Sequence, residues 1–200
     1  MDRYYTHEAR AYDVLSELQR KQIPIFYGAY TLDIPVNSSE ARTVRLILIE
    51  YIPGVSMQQV NPKDFSQHDR QEIMKSVIDF ESLVYERDIL LQDLSPRNVM
   101  MAEKSYADPE RSLVFIDFDS ALFNRGKYER EPIIDNKNLL LGQWISPLLR
   151  WKNRSMALQF TLWIDWDLQR WVEAEYAHTA STITPEMRES YCRRTNTASS

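Results

Sequence analysis

The chain has 200 residues, of which 44% are hydrophobic and 26% are charged, and its formal net charge is −5. This composition excludes a mostly disordered chain, and the acidic balance argues against a nucleic-acid-binding protein, whose surface is normally basic. A single cysteine excludes an internal disulfide, and because no apolar run approaches the roughly 20 residues of a membrane span, we expect a cytoplasmic protein with no membrane or nucleic-acid partner.

The first quarter of the chain predicts one helix followed by two strands. Apolar residues recur three and four positions apart over 4–21, which indicates an amphipathic helix. The segments 23–33 and 43–52 are rich in β-branched and aromatic residues and are predicted strands, joined by a polar turn. Pro53-Gly54 ends the strand pair, and we predict a hinge at this dipeptide.

The rest of the chain predicts mainly helices. Helical periodicity covers 69–87 and again 160–176, and a short buried strand leads into Asp117. Polar or charged segments that predict turns and irregular structure occupy 101–112 and 126–137. The predicted fold class is therefore α+β, with the helices concentrated in the last two thirds of the chain.

The stretch "ILLQDLSPRNVM" (89–100) places a polar segment between two apolar runs. Taken alone, Asp93 and Asn98 are best interpreted as turn residues that cap neighbouring backbone groups. The arrival of Asp117 on a buried strand further along the chain favours a catalytic loop instead. A loop carboxylate can accept a proton from a substrate hydroxyl, while an asparagine and a second aspartate can share a divalent cation through oxygen ligands.

These motifs together resemble the protein-kinase-like superfamily. "DLSPRN" has the Asp-x4-Asn spacing of a kinase catalytic loop, and "IDFD" follows 24 residues after Asp93, where such proteins carry their metal-binding Asp-Phe-Gly. "HEARAYDVL" resembles the helix that carries the family's glutamate, and "LILIEYIPG" resembles the strand before the hinge. The sequences "LSPRNVM", "IDFDSA" and "ISPLLRW" are most similar to those of fungal kinase-like proteins related to the aminoglycoside and choline kinases.

The resemblance implies a kinase-like fold with two lobes. A reduced N-terminal lobe, consisting of the helix and two strands, would cover residues 1–52. A mostly helical C-terminal lobe would cover 53–192, and 193–200 would form a flexible tail. The site would lie in the cleft between the lobes, where the catalytic loop meets the "IDFD" turn.

The resemblance also implies roles for individual residues. Asp93 is the expected base, Asp117 is expected to be both catalytic and a metal ligand, and Asn98 is a further expected ligand. Asp119 replaces the usual glycine, so it is either another ligand or a solvated turn carboxylate. Mg²⁺ is the expected cation. The auxiliary residues implied are Ser95, Arg97 and Glu8.

Several family features have no counterpart in these 200 residues. No glycine-rich Gly-x-Gly-x-x-Gly loop occurs, no lysine-bearing strand precedes the Glu8 helix, and Ser95 replaces a basic residue of the loop. Because these groups normally hold the triphosphate, conventional ATP use is not expected. The exposed edge of the two-stranded sheet should be covered by the helix, by a second copy or by a partner chain.

Three functions remain open at this point. The first is an enzyme that applies the acidic site to a small molecule by acid–base or metal-assisted chemistry without conventional ATP use, for example in fungal secondary metabolism. The second is an ATP- and Mg²⁺-dependent small-molecule phosphotransferase. The third is a non-catalytic pseudokinase interaction module.

Other conspicuous residues are interpreted as structural. The tryptophans Trp163, Trp166 and Trp171 are expected to pack in the core, and Asp165 and Asp167 to cap or tether the helix that follows. The three histidines lack metal-ligand spacing and are expected at the surface. Glu8, judged from its helix pattern alone, is expected to be an exposed charge.

Overall fold

The computed structural model of the protein describes residues 2–37, 40–103, 111–126, 140–151 and 156–197, and these ranges form a mixed α+β structure. This confirms the predicted fold class at that level. Most of the predicted polar turn at 101–112 and of the charged segment 126–137 lie outside the described residues. Within the described ranges, no helix is both long enough and apolar enough to cross a membrane.

The N-terminal part consists of helix α1 (Asp2–Val14) and an antiparallel hairpin of β1 (Phe26–Pro35) and β2 (Ala41–Ile49). The helix buries Ala11 and Tyr12 completely, as the predicted amphipathic pattern requires. The predicted helix and both predicted strands are therefore confirmed, although the helix ends at Val14 instead of 21 and the strand ends differ by two or three residues.

The hairpin has one open apolar face. Its register pairs Tyr30 with Leu46 and Leu32 with Val44, and paired residues in an antiparallel ladder point to the same face. Leu32 is 51% exposed and Leu48 is 50% exposed on this face. The opposite face is turned towards α1, where the Tyr5 hydroxyl donates to the main-chain oxygen of Tyr30 at 3.3 Å.

Helix α2 (Gln67–Glu86) is the central element of the larger part and confirms the helix predicted over 69–87. It begins at a capping box in which the Ser66 side chain accepts the Asp69 N–H and the Asp69 side chain accepts the Ser66 N–H. Its buried face carries large apolar side chains into the core, namely Met74, Val77, Ile78, Phe80 and Val84.

Five short strands lie beside α2: β3 (Gly54–Ser56), β4 (Leu90–Leu91), β5 (Val99–Ala102), β6 (Leu113–Phe115) and β7 (Ala121–Leu122). Antiparallel pairing gives one sheet in the order β3-β5-β6 and a second of β4 with β7. Gly54, at the predicted hinge, opens β3. Its φ is +142°, and a Cβ there would lie 2.2 Å from the main-chain oxygen of Met101, so the close strand pairing requires glycine.

The C-terminal part contains α3 (Pro147–Arg150), α4 (Leu168–Glu175) and α5 (Pro185–Thr197). The helix predicted over 160–176 is wrong in its first half, because α4 begins only at Leu168. The Asp167 side chain accepts the Arg170 N–H at 3.1 Å and so caps α4, as expected of this aspartate. Helix α5 extends into 193–197, where we predicted a flexible tail.

A buried ion pair joins α2 to α3. Glu81 and Arg150 contact one another with both side chains almost fully buried, and the Trp151 indole N–H donates to Glu81 at 3.2 Å. The Arg150 guanidinium also lies 3.6 Å from the ring centre of Tyr85. The last two thirds of the chain thus have a core with a charged pair inside it.

Two predictions about aromatic and histidine residues have different outcomes. Trp163 is buried in the main core, as predicted, and Trp166 and Trp171 pack against it. The prediction of a surface position is wrong for His7. Its ring is buried, with Nδ1 2.8 Å from the main-chain oxygen of Ala121, because α1 packs against β7 at this point.

Candidate functional site

The strand register brings the two predicted motifs to one place. In the β5–β6 pair, Val99 lies opposite Phe115, so Asn98 and Asp117 leave the sheet at the same end. In the β4–β7 pair, Leu91 lies opposite Ala121, which puts Asp93 and Asp119 together in the same way. Antiparallel pairing, in which the end of one strand faces the start of its partner, accounts for this convergence.

Asp93, Asn98 and Asp117 line a small recess. Its floor is apolar and rigidly packed: the rings of Phe80 and Phe115 stack with centroids 3.7 Å apart, and Phe118 also lines the recess. Three of the predicted site residues therefore lie around one concave surface. The recess has a volume of only about 10 Å³, which is room for a water molecule or a cation, so a substrate would lie outside it against these polar groups.

Two neighbouring side chains fix the Asp93 carboxylate. Asn98 Nδ2 donates to the main-chain oxygen of Asp93 at 3.0 Å and to its Oδ2 at 3.2 Å, and the Arg97 guanidinium also contacts Oδ2. Oδ1 takes part in none of these contacts, so it is the oxygen that can accept a substrate proton. Because Asn98 directs its amide nitrogen at Asp93, its Oδ1 is left to bind other groups.

Asp117 has an unusual backbone and a perturbed carboxyl group. Its φ is +64°, in the left-handed region that disfavours residues with a Cβ. Partial desolvation and the nearby Asp119 carboxylate raise the pKa of Asp117, with a further contribution from Asp93. The Asp119 N–H donates to this carboxylate and Arg97 lies near it, and both act in the opposite direction.

Glu8 is half-buried beside these groups and is not the exposed charge that its helix pattern predicted. Its carboxylate accepts the Phe118 N–H, and burial together with the charges of Asp117 and Asp119 raises its pKa to about 7. The side chains Glu8, Asp93, Asp117 and Asp119, which we call the acidic cluster, therefore repel one another. Such a cluster is stabilised by a cation or by a shared proton.

Tyr12 is a neighbour that the sequence analysis missed. It lies one helical turn after Glu8, and its ring packs edge-on against Phe118 with centroids 5.1 Å apart. Its hydroxyl is buried and has no hydrogen-bond partner among the described residues. Burial and the charges of Glu8 and Asp117 raise the pKa of Tyr12. The spacing of four residues from Glu8 was the available signal.

A wider cleft opens between α1 and β2, next to the acidic cluster. Glu8 and Asp119 line it together with the basic residues Arg42 and Arg45. The Arg45 guanidinium lies over the Tyr5 ring, 5.2 Å from its centre. The sequence analysis missed both arginines, because alternating residues on a strand do not reveal which face meets the neighbouring helix.

Ser95 lies away from the recess, although it is only two residues from Asp93. It is 4% exposed and lines a different pocket, which Asp117 does not line. Its main-chain oxygen accepts the Asn98 N–H at 2.9 Å and so helps to shape the loop. Of the predicted auxiliary residues, Glu8 belongs to the acidic cluster and Arg97 contacts it through Asp93. Ser95 does neither.

The donor atoms of the recess suit a hard divalent cation. Within the described ranges, no three His, Cys, Asp or Glu side chains are arranged to hold a metal ion by themselves. Asn98 Oδ1 and the Asp117 carboxylate are oxygen donors of the kind that Mg²⁺ binds, whereas Asp119 lines the neighbouring cleft and not the recess. The mutual repulsion within the acidic cluster favours the same ligand.

The fold and site define an α+β protein with an acidic cleft beside an Asp-x4-Asn loop. Comparison with known families and with curated proteins adds no relative, since neither a family model nor a curated sequence matches the chain.

Proposed function

We propose that this chain is an enzyme that carries out acid–base chemistry, assisted by a divalent cation, on a small molecule at the acidic cluster. The frame we propose for it is a divergent kinase-like fold. The convergence of Asp93, Asn98 and Asp117 in one recess carries the proposal, because these residues come from two motifs that are distant in sequence. The motif order and the helix beside the recess support the kinase-like frame.

Asp93 acts as the base in this proposal. With Oδ2 held by Asn98 and Arg97, Oδ1 accepts the proton of a substrate hydroxyl, and the pair of electrons of the broken O–H bond stays on the substrate oxygen. Asn98, Asp117 and Asp119 hold Mg²⁺, which when bound supplies a positive charge that stabilises negative charge developing on the substrate. Glu8, with a pKa of about 7, can hold or release a proton near neutral pH.

Cation binding provides the first test. Calorimetric titration of the native chain with Mg²⁺ should give saturable binding, and Asp117→Asn should weaken it by at least about tenfold, the lower limit reported for loss of an outer-shell partner. Asp13→Asn is the matched control, because Asp13 is an exposed aspartate of α1. Undiminished Mg²⁺ affinity in Asp117→Asn would contradict the assignment of this ligand.

The catalytic role of Asp93 is tested by comparing the native chain with Asp93→Asn in a metabolite extract containing Mg²⁺. Mass spectrometry should show a product that forms with the native chain. With the variant its rate of formation should fall at least about 100-fold, because the base is lost. Equal product formation by both proteins would rule out Asp93 as the base.

A second candidate is phosphoryl transfer from a nucleotide. Arg42 and Arg45 favour it, since both residues line the cleft beside Glu8 and Asp119, where a phosphate chain could lie between an arginine and a cation. Repeating the extract experiment with and without ATP separates the two candidates. A phosphorylated product that needs ATP and is reduced in Arg42→Gln would support transfer, and an ATP-independent product would support the first proposal.

A further inference from the structure

A second pocket borders the loop that carries Asp93 and Asn98, and it shares no lining residue with the recess. It has a volume of about 230 Å³ and is formed by the chain after β3, the loop turn at 95–97 and the segment 157–163. Ligand sites usually begin at about 300 Å³, so this pocket suits a molecule of one ring with short substituents. None of the functions considered above uses it.

One residue that lines the pocket has a buried polar group that lacks a partner. Ser95 is 4% exposed, and its Oγ has no hydrogen-bond partner in the described part of the chain. Buried hydroxyls are normally satisfied, because loss of hydration without a replacement bond is unfavourable. The Oγ atom itself is inaccessible, so this unpaired hydroxyl lies behind the lining of the pocket and is not a contact for a bound molecule.

The remaining surface of the pocket combines apolar side chains with the amides of Gln58 and Gln159. Met57 is fully buried and Trp163 is 2% exposed at its inner side, while Leu162 at the rim is 83% exposed. A leucine this exposed at the mouth of an apolar pocket gains burial when a ligand lies under it. These contacts fit an apolar ring.

Charge decides which ring compounds fit. Among the described residues that line the pocket, Arg97 alone is charged, and 60% of its side chain is exposed. Only its NH2 group contacts Asp93, so other N–H groups of the guanidinium can bind a second carboxylate. The pocket therefore favours an anion over a cation.

We infer that this pocket binds the apolar ring of a small carboxylate substrate, with its carboxylate on Arg97 and its reactive group directed towards Asp93. Arg97 lines the pocket and contacts Asp93, so one ligand can extend from the pocket to the base. This inference rests on the proposed function and specifies the class of substrate.

Fluorine NMR titration with para-fluorophenylacetate tests the inference. The native chain should bind this probe with a dissociation constant below about 5 mM, and para-fluorophenethylamine, which has the same ring and a positive charge, should bind at least about tenfold more weakly. Failure of the native chain to bind the carboxylate, or equal binding of the amine, would overturn the inference.

Two charge variants locate the bound probe. Leu162→Glu places a negative charge at the mouth and should weaken carboxylate binding at least about tenfold, whereas Leu162→Lys should preserve it. Leu158→Glu is the matched control, since Leu158 is 61% exposed and does not line the pocket. Equal weakening by Leu158→Glu and Leu162→Glu would contradict binding at this place.

The same titration separates this inference from the proposed function. Asp117→Asn should lose Mg²⁺ affinity and keep its affinity for para-fluorophenylacetate, because Asp117 does not line the pocket. If the native chain binds the probe at Leu162 and does not bind Mg²⁺, the metal-assisted mechanism is contradicted and the pocket inference stands. If the native chain binds Mg²⁺ and does not bind the probe, the pocket inference is contradicted and the metal-assisted mechanism stands.

Discussion

At the scale of single residues, Glu8 shows most clearly how the site depends on its surroundings. Its helix pattern alone predicts a surface charge, yet the Phe118 N–H and two neighbouring carboxylates surround it. None of these contacts is visible from the local sequence, because the partners lie more than a hundred positions after Glu8 in the chain. The resemblance to the kinase glutamate helix was the signal that pointed to Glu8.

Glu8 should make the metal-free protein less stable as the pH rises from about 4.5 to about 7. Over this range the native state retains the proton that the unfolded chain has released, so raising the pH favours unfolding. Urea unfolding at several pH values should show this slope. Glu8→Gln should reduce the slope, as should saturating Mg²⁺ in the native chain.

Asp13→Asn serves as the control for this experiment, since it removes one carboxylate from the exposed side of the same helix. An unchanged slope in Glu8→Gln would show that other groups, such as Asp117, account for the pH dependence.

At the scale of elements, sequence patterns predicted those helices and strands that have a long, one-sided apolar face. Helix α2 and the β1–β2 hairpin are of this kind. Strands of two to four residues, such as β3 and β4, are too short to show a period, and their existence depends on pairing with distant segments. The false start of α4 has a related cause, because Trp163, Ile164 and Trp166 pack in or against the core without being helical.

The β3–β5 pair supplies a test at this scale. Gly54→Ala should lower the free energy of unfolding by about 2–4 kcal/mol, since the new Cβ meets a main-chain oxygen and the backbone conformation is strained. Gly142→Ala is the matched control: its φ is also positive, at +68°, but a Cβ there has open space. The control should lose only about 1 kcal/mol.

Chemical denaturation followed by circular dichroism measures both variants. If Gly54→Ala were no more destabilised than Gly142→Ala, the close approach of β3 to Met101 would not be a constraint on the fold.

At the scale of the whole molecule, the stability of the core and the chemistry of the cleft depend on different groups. The Glu81–Arg150 pair joins α2 to α3 and lines neither the recess nor the wider cleft. The hairpin, by contrast, leaves apolar side chains half exposed. The prediction for this sheet concerned its edge, which we expect to be covered by the helix, by a second copy or by a partner chain.

Arg150→Met should cost about 3–5 kcal/mol of stability, because it leaves the Glu81 carboxylate buried without its partner. The double variant Glu81→Gln/Arg150→Met should recover part of this loss, since glutamine is neutral and can still accept the Trp151 indole N–H. Thermal unfolding of the native, single and double variants checks this order. A double variant less stable than Arg150→Met would contradict it.

Asp117 has a left-handed backbone conformation that disfavours residues with a Cβ. Laboratory evolution that selects only for heat resistance should therefore replace this site residue. Glycine adopts this conformation without the penalty of a Cβ and removes a carboxylate that its neighbours repel, so screening for survival at high temperature would enrich Asp117→Gly. Such a screen would yield a more heat-resistant protein that lacks the cation ligand we propose at Asp117. An engineer who wants both properties would have to hold position 117 fixed and seek robustness elsewhere in the chain.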